Sequence, residues 1–300
     1  MTALKRAIPV LVLCALGARP AHAELYYLIV AGLGGEKTYQ DQFDKEAAEL
    51  ETVAKRTTAA SRVTVLKDDK ATREGVHKAF DALKKKTKAT DSVAVVLIGH
   101  GSFDGEAYKF NIPGPDVDGE ELKGLLTALP AKQQLVVDAT SASGAIAELL
   151  AAKGRTVITA TRSGFERNAT RFAKHWAAAL ADGSADINKD GVITAQEAFD
   201  YASREVADSF KSEGTLATEH PQLKGDGAAR FTVARLKPEE VPATPELAAL
   251  EKQRKDLDAQ VEALRTRRGE MDNDTYLNTL QDLLVKLATV QKRIDEAKAE

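Results

Sequence analysis

Apolar and polar positions alternate along residues 25–180 in the two periods that are typical of an α/β protein. Apolar runs of strand length are followed by segments in which apolar residues recur every three or four positions, the spacing of one helix face. The strand-length runs are 25–31, 62–66, 93–98, 135–137 and 156–161. Strands that alternate with helices favour a three-layer α/β sandwich with a mainly parallel sheet.

The helices between these strands are marked by their apolar faces and by residues that can cap them. Thr72 and Asp118 each precede an apolar helical face, where a hydroxyl or carboxylate can accept a hydrogen bond from the first turn. A further short helix is predicted over about 145–152. The apolar faces consist of Phe43, Ala47, Leu50 and Ala54; Val76, Phe80 and Leu83; Leu122, Leu125, Leu126 and Leu129; and Phe172, Trp176 and Leu180.

The pattern changes after residue 236. Residues 237–246 contain three prolines and predict a linker. From 247 to 300, apolar residues at alternating spacings of three and four predict two helices in an antiparallel hairpin or coiled coil, with Arg254 and Arg268 in the gaps of the first seam. Such a hairpin buries little by itself. It is either a solubilising arm or an arm for self-association or for a protein partner.

The first 23 residues have the pattern of a secretory signal peptide. Lys5 and Arg6 precede an apolar run, 7–16, that is too short to span a bilayer, and Ala21-His22-Ala23 is typical of a cleavage site. We therefore expect an exported protein, periplasmic or secreted, whose mature chain begins at Glu24 and has no membrane contact.

Charge and cysteine content narrow the class of protein further. Three of the 42 basic residues lie in the signal peptide, so the formal charge falls from −3 to −6 on maturation and gives no bias toward nucleic acid. The single cysteine, Cys14, lies in the same segment. The mature chain is therefore expected to fold without disulfides, on a core that its length makes large enough.

Residues 186–197, DINKDGVITAQE, carry oxygen ligands at the spacing of an EF-hand calcium loop. Side-chain oxygens fall at positions one, three and five, and a carboxylate closes the loop at position twelve. Gly191 stands at position six, where the loop must turn sharply, and Thr194 at position nine would act through its hydroxyl or a water. The expected calcium ligands are Asp186, Asn188, Asp190, the carbonyl of Val192, and Glu197.

A helix with Ala198, Tyr201, Val206 and Phe210 on its inner face is predicted after this loop. The apolar side chain of Ile193, at position eight, suits anchoring of the loop to the body of the protein. A single loop in an exported protein predicts weak calcium binding, with a dissociation constant on the order of 0.1–1 mM. That affinity suits a structural role for calcium.

Two strand ends supply a candidate base and candidate nucleophiles. The run 93–98 is followed by Gly99-His100-Gly101, and the run 135–137 leads into a turn that contains Thr140, Ser141 and Ser143. Loops after strands in α/β sheets are where chemistry is usually found, and a histidine beside a hydroxyl can form a base–nucleophile pair. The turn contains no cysteine.

Together these motifs resemble the legumain and caspase-like superfamily, the caspase–haemoglobinase fold, over about residues 25–236. In that family one strand ends in the catalytic histidine and a glycine, as VVLIGHGS does at His100. The next strand ends in an acidic residue, alanine and the nucleophilic cysteine, followed shortly by Ser-Gly. Here Asp138-Ala139 is followed by Thr140, with one extra residue before Ser143-Gly144. The segments ITATRSGFERNATRF and HPQLKGDG, and the calcium-type loop, are similar to bacterial relatives.

The threonine changes what the resemblance implies. An alkanol is not ionised at neutral pH as a thiol partly is, and a β-branched side chain is stiffer at the turn, so the usual cysteine-peptidase mechanism is excluded. The resemblance then implies a catalytically inactive pseudopeptidase that acts as a calcium-bound binding or scaffolding module.

Two alternatives stay open from the sequence. One is a peptidase or other acyl hydrolase in which Thr140, Ser141 or Ser143 attacks a carbonyl with His100 as the base. The other is a flavodoxin-like nucleotide binder in which residues 32–35, Gly-Leu-Gly-Gly, cradle a phosphate, although the dinucleotide pattern is incomplete.

Overall fold

The computed structural model describes residues 23–181, 183–237 and 244–299. The predicted signal peptide, residues 1–23, lies outside this range except for its last residue, so export stays a prediction. Among the helices that are described, none is both long and apolar enough to cross a membrane.

Strands and helices alternate along residues 25–181, as the periodicity predicts, except for three short consecutive strands between residues 101 and 118. The strands are β1 (Leu25–Ala31), β2 (Val63–Leu66), β3 (Ser92–Ile98), β4 (Gly101–Phe103), β5 (Tyr108–Phe110), β6 (Val117–Asp118), β7 (Gln133–Asp138), β8 (Arg155–Thr159), β9 (Val192–Thr194), β10 (Gln222–Lys224) and β11 (Thr232–Arg235). The helices are α1 (Lys37–Thr57), α2 (Arg73–Lys86), α3 (Gly119–Thr127), α4 (Ala147–Leu150), α5 (Phe172–Ala181), α6 (Ala195–Ser212), α7 (Pro245–Thr266) and α8 (Asn273–Ala299).

The central sheet of the described chain has six strands in the order β10-β8-β7-β3-β1-β2. Five of them are parallel, and β10 at one edge runs antiparallel to β8. Residues 93–98 of β3 are all buried, because both faces of this central strand are covered. The predicted mainly parallel sheet is confirmed.

Helices cover both faces of the sheet and make three layers. Along β1, Tyr27 and Ile29 pack in one core cluster with α1, α5 and α6, whereas Leu28 and Val30 pack in a second cluster with α2 and α3. This alternation follows from the two-residue repeat of a strand. Thr72 caps α2 and Asp118 caps α3, each accepting from a backbone N–H three residues on, as predicted.

Two elements are shorter than the sequence predicts. The predicted helix over 145–152 is a 3-10 turn followed by the single turn of α4. Strand β8 ends at Thr159 and not at Thr161. The Thr161 amide donates to Ser143 Oγ (3.2 Å) and its hydroxyl accepts from the Gly144 amide (2.8 Å), so these groups hold the β7 loop instead of extending the sheet.

The calcium-type loop is joined to the last strand before the C-terminal hairpin. Strand β9 pairs antiparallel with β11, with Ile193 opposite Ala234, and the Leu236 amide donates to the Gly191 carbonyl (2.9 Å). Ile193 is fully buried, in agreement with its expected anchoring role. We refer to β9 and β11 together as the loop ribbon.

Helices α7 and α8 form the predicted hairpin around a shared apolar seam that includes Leu250, Leu257, Leu283 and Val290. Helix α7 begins at Pro245, inside the segment predicted as linker, because the Thr244 hydroxyl caps it and proline suits a first turn. Ion pairs join the start of α7 to the end of α8: Glu246 with Arg293 and Glu251 with Lys298. The two helices are therefore antiparallel.

Candidate functional site

The loops after β3 and β7 meet at the carboxyl edge of the central sheet. Leu97 and Asp138 are partners in adjacent parallel strands, and the Ala139 amide donates to the Leu97 carbonyl (2.9 Å). Gly101 contacts Ser141 through its amide and its carbonyl, each 3.3 Å from Ser141 Oγ. The structure thus brings the predicted base and hydroxyls to one edge.

His100 is half-buried against aromatic side chains. Its ring lies edge-on to Tyr39 (4.9 Å between centroids) and to Phe43 (5.2 Å). Its carbonyl accepts from the Asn111 amide at 3.0 Å. Within the described part of the chain the imidazole makes no hydrogen bond, so no carboxylate or hydroxyl there orients it as a base.

The candidate nucleophile Thr140 is fully buried. Its Oγ1 lies 2.6 Å from the hydroxyl of Tyr108 and 3.1 Å from the Ser141 carbonyl, to which it donates. Its amide donates to Asp138 Oδ1 at 3.1 Å. The hydroxyl is therefore satisfied locally and is closed to solvent.

The two alternative nucleophiles are also buried and engaged. Ser141 Oγ bonds only to the Gly101 backbone among the described residues. Ser143 Oγ lies 3.3 Å from Thr161 Oγ1 and accepts from the Thr161 amide. None of the three hydroxyls is bonded to His100. A mechanism in which one of them attacks a carbonyl with His100 as its base therefore stays a prediction.

Sequence reasoning missed a buried polar cluster beneath this edge, formed by Asp138 and Tyr108. Asp138 is completely buried, and its Oδ2 has no hydrogen-bond partner among the described residues. Burial raises the pKa of the Asp138 carboxyl to about 6, and burial together with this nearby charge holds the pKa of Tyr108 well above its ordinary value. Asp138 stands in the motif that carried the family resemblance. Tyr108 lies in the small sheet of β4, β5 and β6, and no sequence pattern linked it to the site.

Two segments that carried the family resemblance meet at the same edge. His220 Nδ1 lies 2.6 Å from Glu166 Oε1, and the His220 amide donates to Glu166 Oε2 (3.2 Å). The Glu166 carbonyl accepts from the Ala142 amide (2.8 Å), which ties this pair to the β7 loop. No local pattern in the sequence pairs these two residues, which are 54 positions apart.

Exposed apolar side chains stand on loops at the carboxyl edge of the sheet. Phe165 is 70% exposed and stacks edge-on with Phe103 at 5.6 Å, with the Arg167 guanidinium 5.8 Å from its ring. Leu33, after β1, is 44% exposed. Phe165 and Leu33 are therefore apolar side chains left exposed on loops at this edge of the sheet.

The glycine loop after β1 is not arranged as a phosphate cradle. The amides of Gly32, Leu33 and Gly34 donate to the Ile98 carbonyl (2.8 Å), the Asn111 carbonyl (3.0 Å) and Gln40 Oε1 (3.0 Å). A phosphate site of this kind needs free backbone N–H groups. The geometry therefore argues against the nucleotide-binding alternative.

The calcium-type loop folds around its first carboxylate. Asp186 accepts from the amides of Asp190 (3.1 Å) and Gly191 (3.0 Å), and Asn188 Oδ1 also accepts from the Asp190 amide (3.0 Å). Gly191 turns the chain at φ +79°, a conformation that favours glycine. Thr194 and Glu197 form a reciprocal cap at the start of α6.

The donor chemistry of this loop suits calcium. All the predicted ligands offer oxygen, the donor that Ca²⁺ prefers. Burial raises the pKa of Glu197, and the charges of Asp190 and Asp186 raise it further, so the three carboxylates are close enough to repel one another. Within the described residues, no three or more His, Cys, Asp or Glu side chains already converge on one point as a formed metal site. Calcium binding stays a prediction that the loop's oxygen donors support.

The backbone is similar to that of two solved structures. A protein from Geobacter sulfurreducens, a structural-genomics target, shares 14% identity at a TM-score of 0.45, covering 74% of this chain and 98% of that one. Caspase-1 from Spodoptera frugiperda shares 11% identity at a TM-score of 0.49, covering 73% of this chain and 92% of that one. The sequence matches no protein family and no curated protein. Function therefore has to be inferred from the residues of this chain.

Proposed function

We propose that this protein is an exported, calcium-binding pseudopeptidase of the caspase-like type, which acts as a binding or scaffolding module. The observation that carries the proposal is the burial of Thr140, Ser141 and Ser143, each bonded to groups other than His100.

Burial matters because a nucleophile must reach the carbonyl carbon of its substrate. Thr140 and Ser143 have no exposed surface and Ser141 is 3% exposed, so attack would require the β7 loop to open. A serine or threonine nucleophile also needs an adjacent base held by a third group. His100 contacts aromatic rings instead.

A binding role is supported by exposed apolar side chains in two places. The carboxyl edge exposes Phe165 and Leu33, and α8 leaves Leu277, Leu284 and Val285 about half exposed or more. Contiguous exposed apolar groups mark interaction surfaces, and Leu277 and Leu284 stand about two turns apart on one face of α8. The hairpin is accordingly proposed as an arm for self-association or for a protein partner.

The inactivity of the site is tested with a fluorophosphonate probe, which labels activated hydroxyls. The mature wild-type chain and His100→Ala are incubated with the probe in calcium, beside an active serine hydrolase, and their intact masses are measured. We expect no adduct on either chain because the hydroxyls are buried. A single adduct on wild type that is lost in His100→Ala would establish a working hydrolase.

Calcium binding is tested by thermal unfolding in 10 mM calcium and in chelator. With a dissociation constant on the order of 0.1–1 mM, calcium should stabilise the fold by about 1.4–2.7 kcal/mol. Glu197→Gln keeps a residue that can cap α6 but removes the closing carboxylate, so it should lose most of this gain. Equal melting temperatures for wild type in calcium and in chelator would refute the calcium site.

A further inference from the structure

The hairpin places a cation against the calcium-type loop. Arg254 of α7 donates from Nη2 to Asp190 Oδ2 at 3.3 Å, and its Nη1 lies 3.5 Å from Asp258 Oδ2. The three side chains are 17%, 10% and 22% exposed, respectively. The sequence had placed this arginine in the hairpin seam, but the structure turns it toward the loop.

Arg254 contacts a carboxylate that is also a predicted calcium ligand. Asp190 stands at position five of the loop, and its Oδ1 is already used as an acceptor by the Val192 amide (2.8 Å). Oδ2 accepts no backbone hydrogen bond in the described chain, and it is the oxygen that accepts from the guanidinium. Asp258 Oδ2 is buried without a hydrogen-bond partner among the described residues, so a carboxylate also faces Arg254 from its own helix.

The space beside this contact is not filled. A cavity of about 240 Å³ lies between the loop and α7, and its walls include Asn188, Asp190, Val192 and Asp258. Both lysines of α7, Lys252 and Lys255, line it as well, together with Asp256. The face that α7 presents to the loop therefore carries charges of both signs.

A divalent ion and a guanidinium on the same partly buried carboxylate repel one another strongly. We propose that Arg254 is an internal competitor of calcium, which neutralises Asp190 in the metal-free protein and is displaced when calcium binds. This inference rests on the proposed calcium site and adds that the hairpin senses whether the site is filled. Because coupling is reciprocal, docking of α7 weakens calcium binding and calcium loosens α7.

The test compares calcium affinity in the full mature chain by titration calorimetry at fixed ionic strength. Arg254→Gln should bind calcium at least about fivefold more tightly than wild type, the lower end of the usual range for coupled sites. The calcium affinity of Arg254→Lys, which keeps the charge, should fall between those of wild type and Arg254→Gln. Arg267→Gln is the matched control, because it removes an equal charge from an exposed pair with Glu270 at the hairpin turn. It should leave the affinity unchanged.

The reciprocal effect is measured by hydrogen exchange of the amides of residues 250–258. Addition of calcium should speed their exchange in wild type and change it little in Arg254→Gln, whose contact is already lost. Equal or weaker calcium binding by Arg254→Gln, with binding by wild type intact, would overturn the competition while leaving the calcium site standing. An absence of binding in all the variants and wild type would overturn both.

Discussion

Gly144→Ala is expected to destabilise the protein by about 3 kcal/mol, the upper end of the cost of inserting a methyl group into a packed site. A Cβ at this position would lie 2.1 Å from the Ser163 amide nitrogen and 2.3 Å from the Arg162 carbonyl carbon. Both are backbone atoms, which cannot rotate away as a side chain would. The melting temperature should fall by roughly 6–10 °C.

The matched control for this change is Gly124→Ala, in α3, where no atom lies within 4 Å of the new Cβ. Alanine there should raise stability by roughly 0.5–1 kcal/mol, because glycine is unfavourable inside a helix. If Gly144→Ala and Gly124→Ala have the same melting temperature, the loops after β7 and β8 are not tightly packed against each other in solution. The buried hydroxyls would then be more accessible than we propose.

Asp138→Asn is expected to stabilise the protein at pH 8 by up to about 3 kcal/mol and to change little near pH 4. The folded-state pKa of this carboxyl is about 6, against an ordinary value of 3.8 that applies to the unfolded chain. The contribution of Asp138 to stability is therefore fully present below about pH 3.8 and is lost as pH rises through 6. The size of the effect follows because a tenfold change in the acid dissociation constant on folding is worth about 1.4 kcal/mol.

Denaturant unfolding from pH 4 to pH 8 checks this prediction. The pKa values of Glu46 and Glu219 are also raised by burial, each to about 7, but they contribute equally to both chains, so the difference between the two curves isolates Asp138. Asp91→Asn is the contrasting variant: its two oxygens accept from the amides of Glu24 and Lys88, and it should destabilise the fold. A difference curve for Asp138→Asn that is flat across this range would contradict the prediction.

Local patterns in the sequence were enough to predict much of the fold. The apolar run at 93–98 indicated a central parallel strand because both of its faces are covered, and Thr72 and Asp118 marked helix starts because capping is a local interaction. These features depend on residues a few positions apart. Two of the differences in the fold, the shortened helix after Ser143 and the end of β8 at Thr159, both come from the contact between the β7 and β8 loops.

The candidate site was less predictable because its contacts join residues that are far apart in the sequence. The sequence placed His100 and Thr140 at one edge of the sheet, because parallel strands bring their carboxyl ends together. The sequence could not show that Tyr108 is hydrogen-bonded to the Thr140 hydroxyl, since that tyrosine lies 32 residues away on a separate small sheet. Nor could it show that Arg254 leaves the hairpin seam for Asp190, because heptad spacing does not say what lies beside the helix.

The loop ribbon has a mechanical consequence. Strand β11 is the last described strand before the hairpin, and it is held by β9 and by the bond from Leu236 to Gly191. A load applied at the C-terminus therefore reaches the ribbon and its loop before the central sheet. A bound ion that stiffens the loop would raise the force at which β11 separates from β9, even though it frees α7. The protein would then resist tension according to the calcium concentration around it.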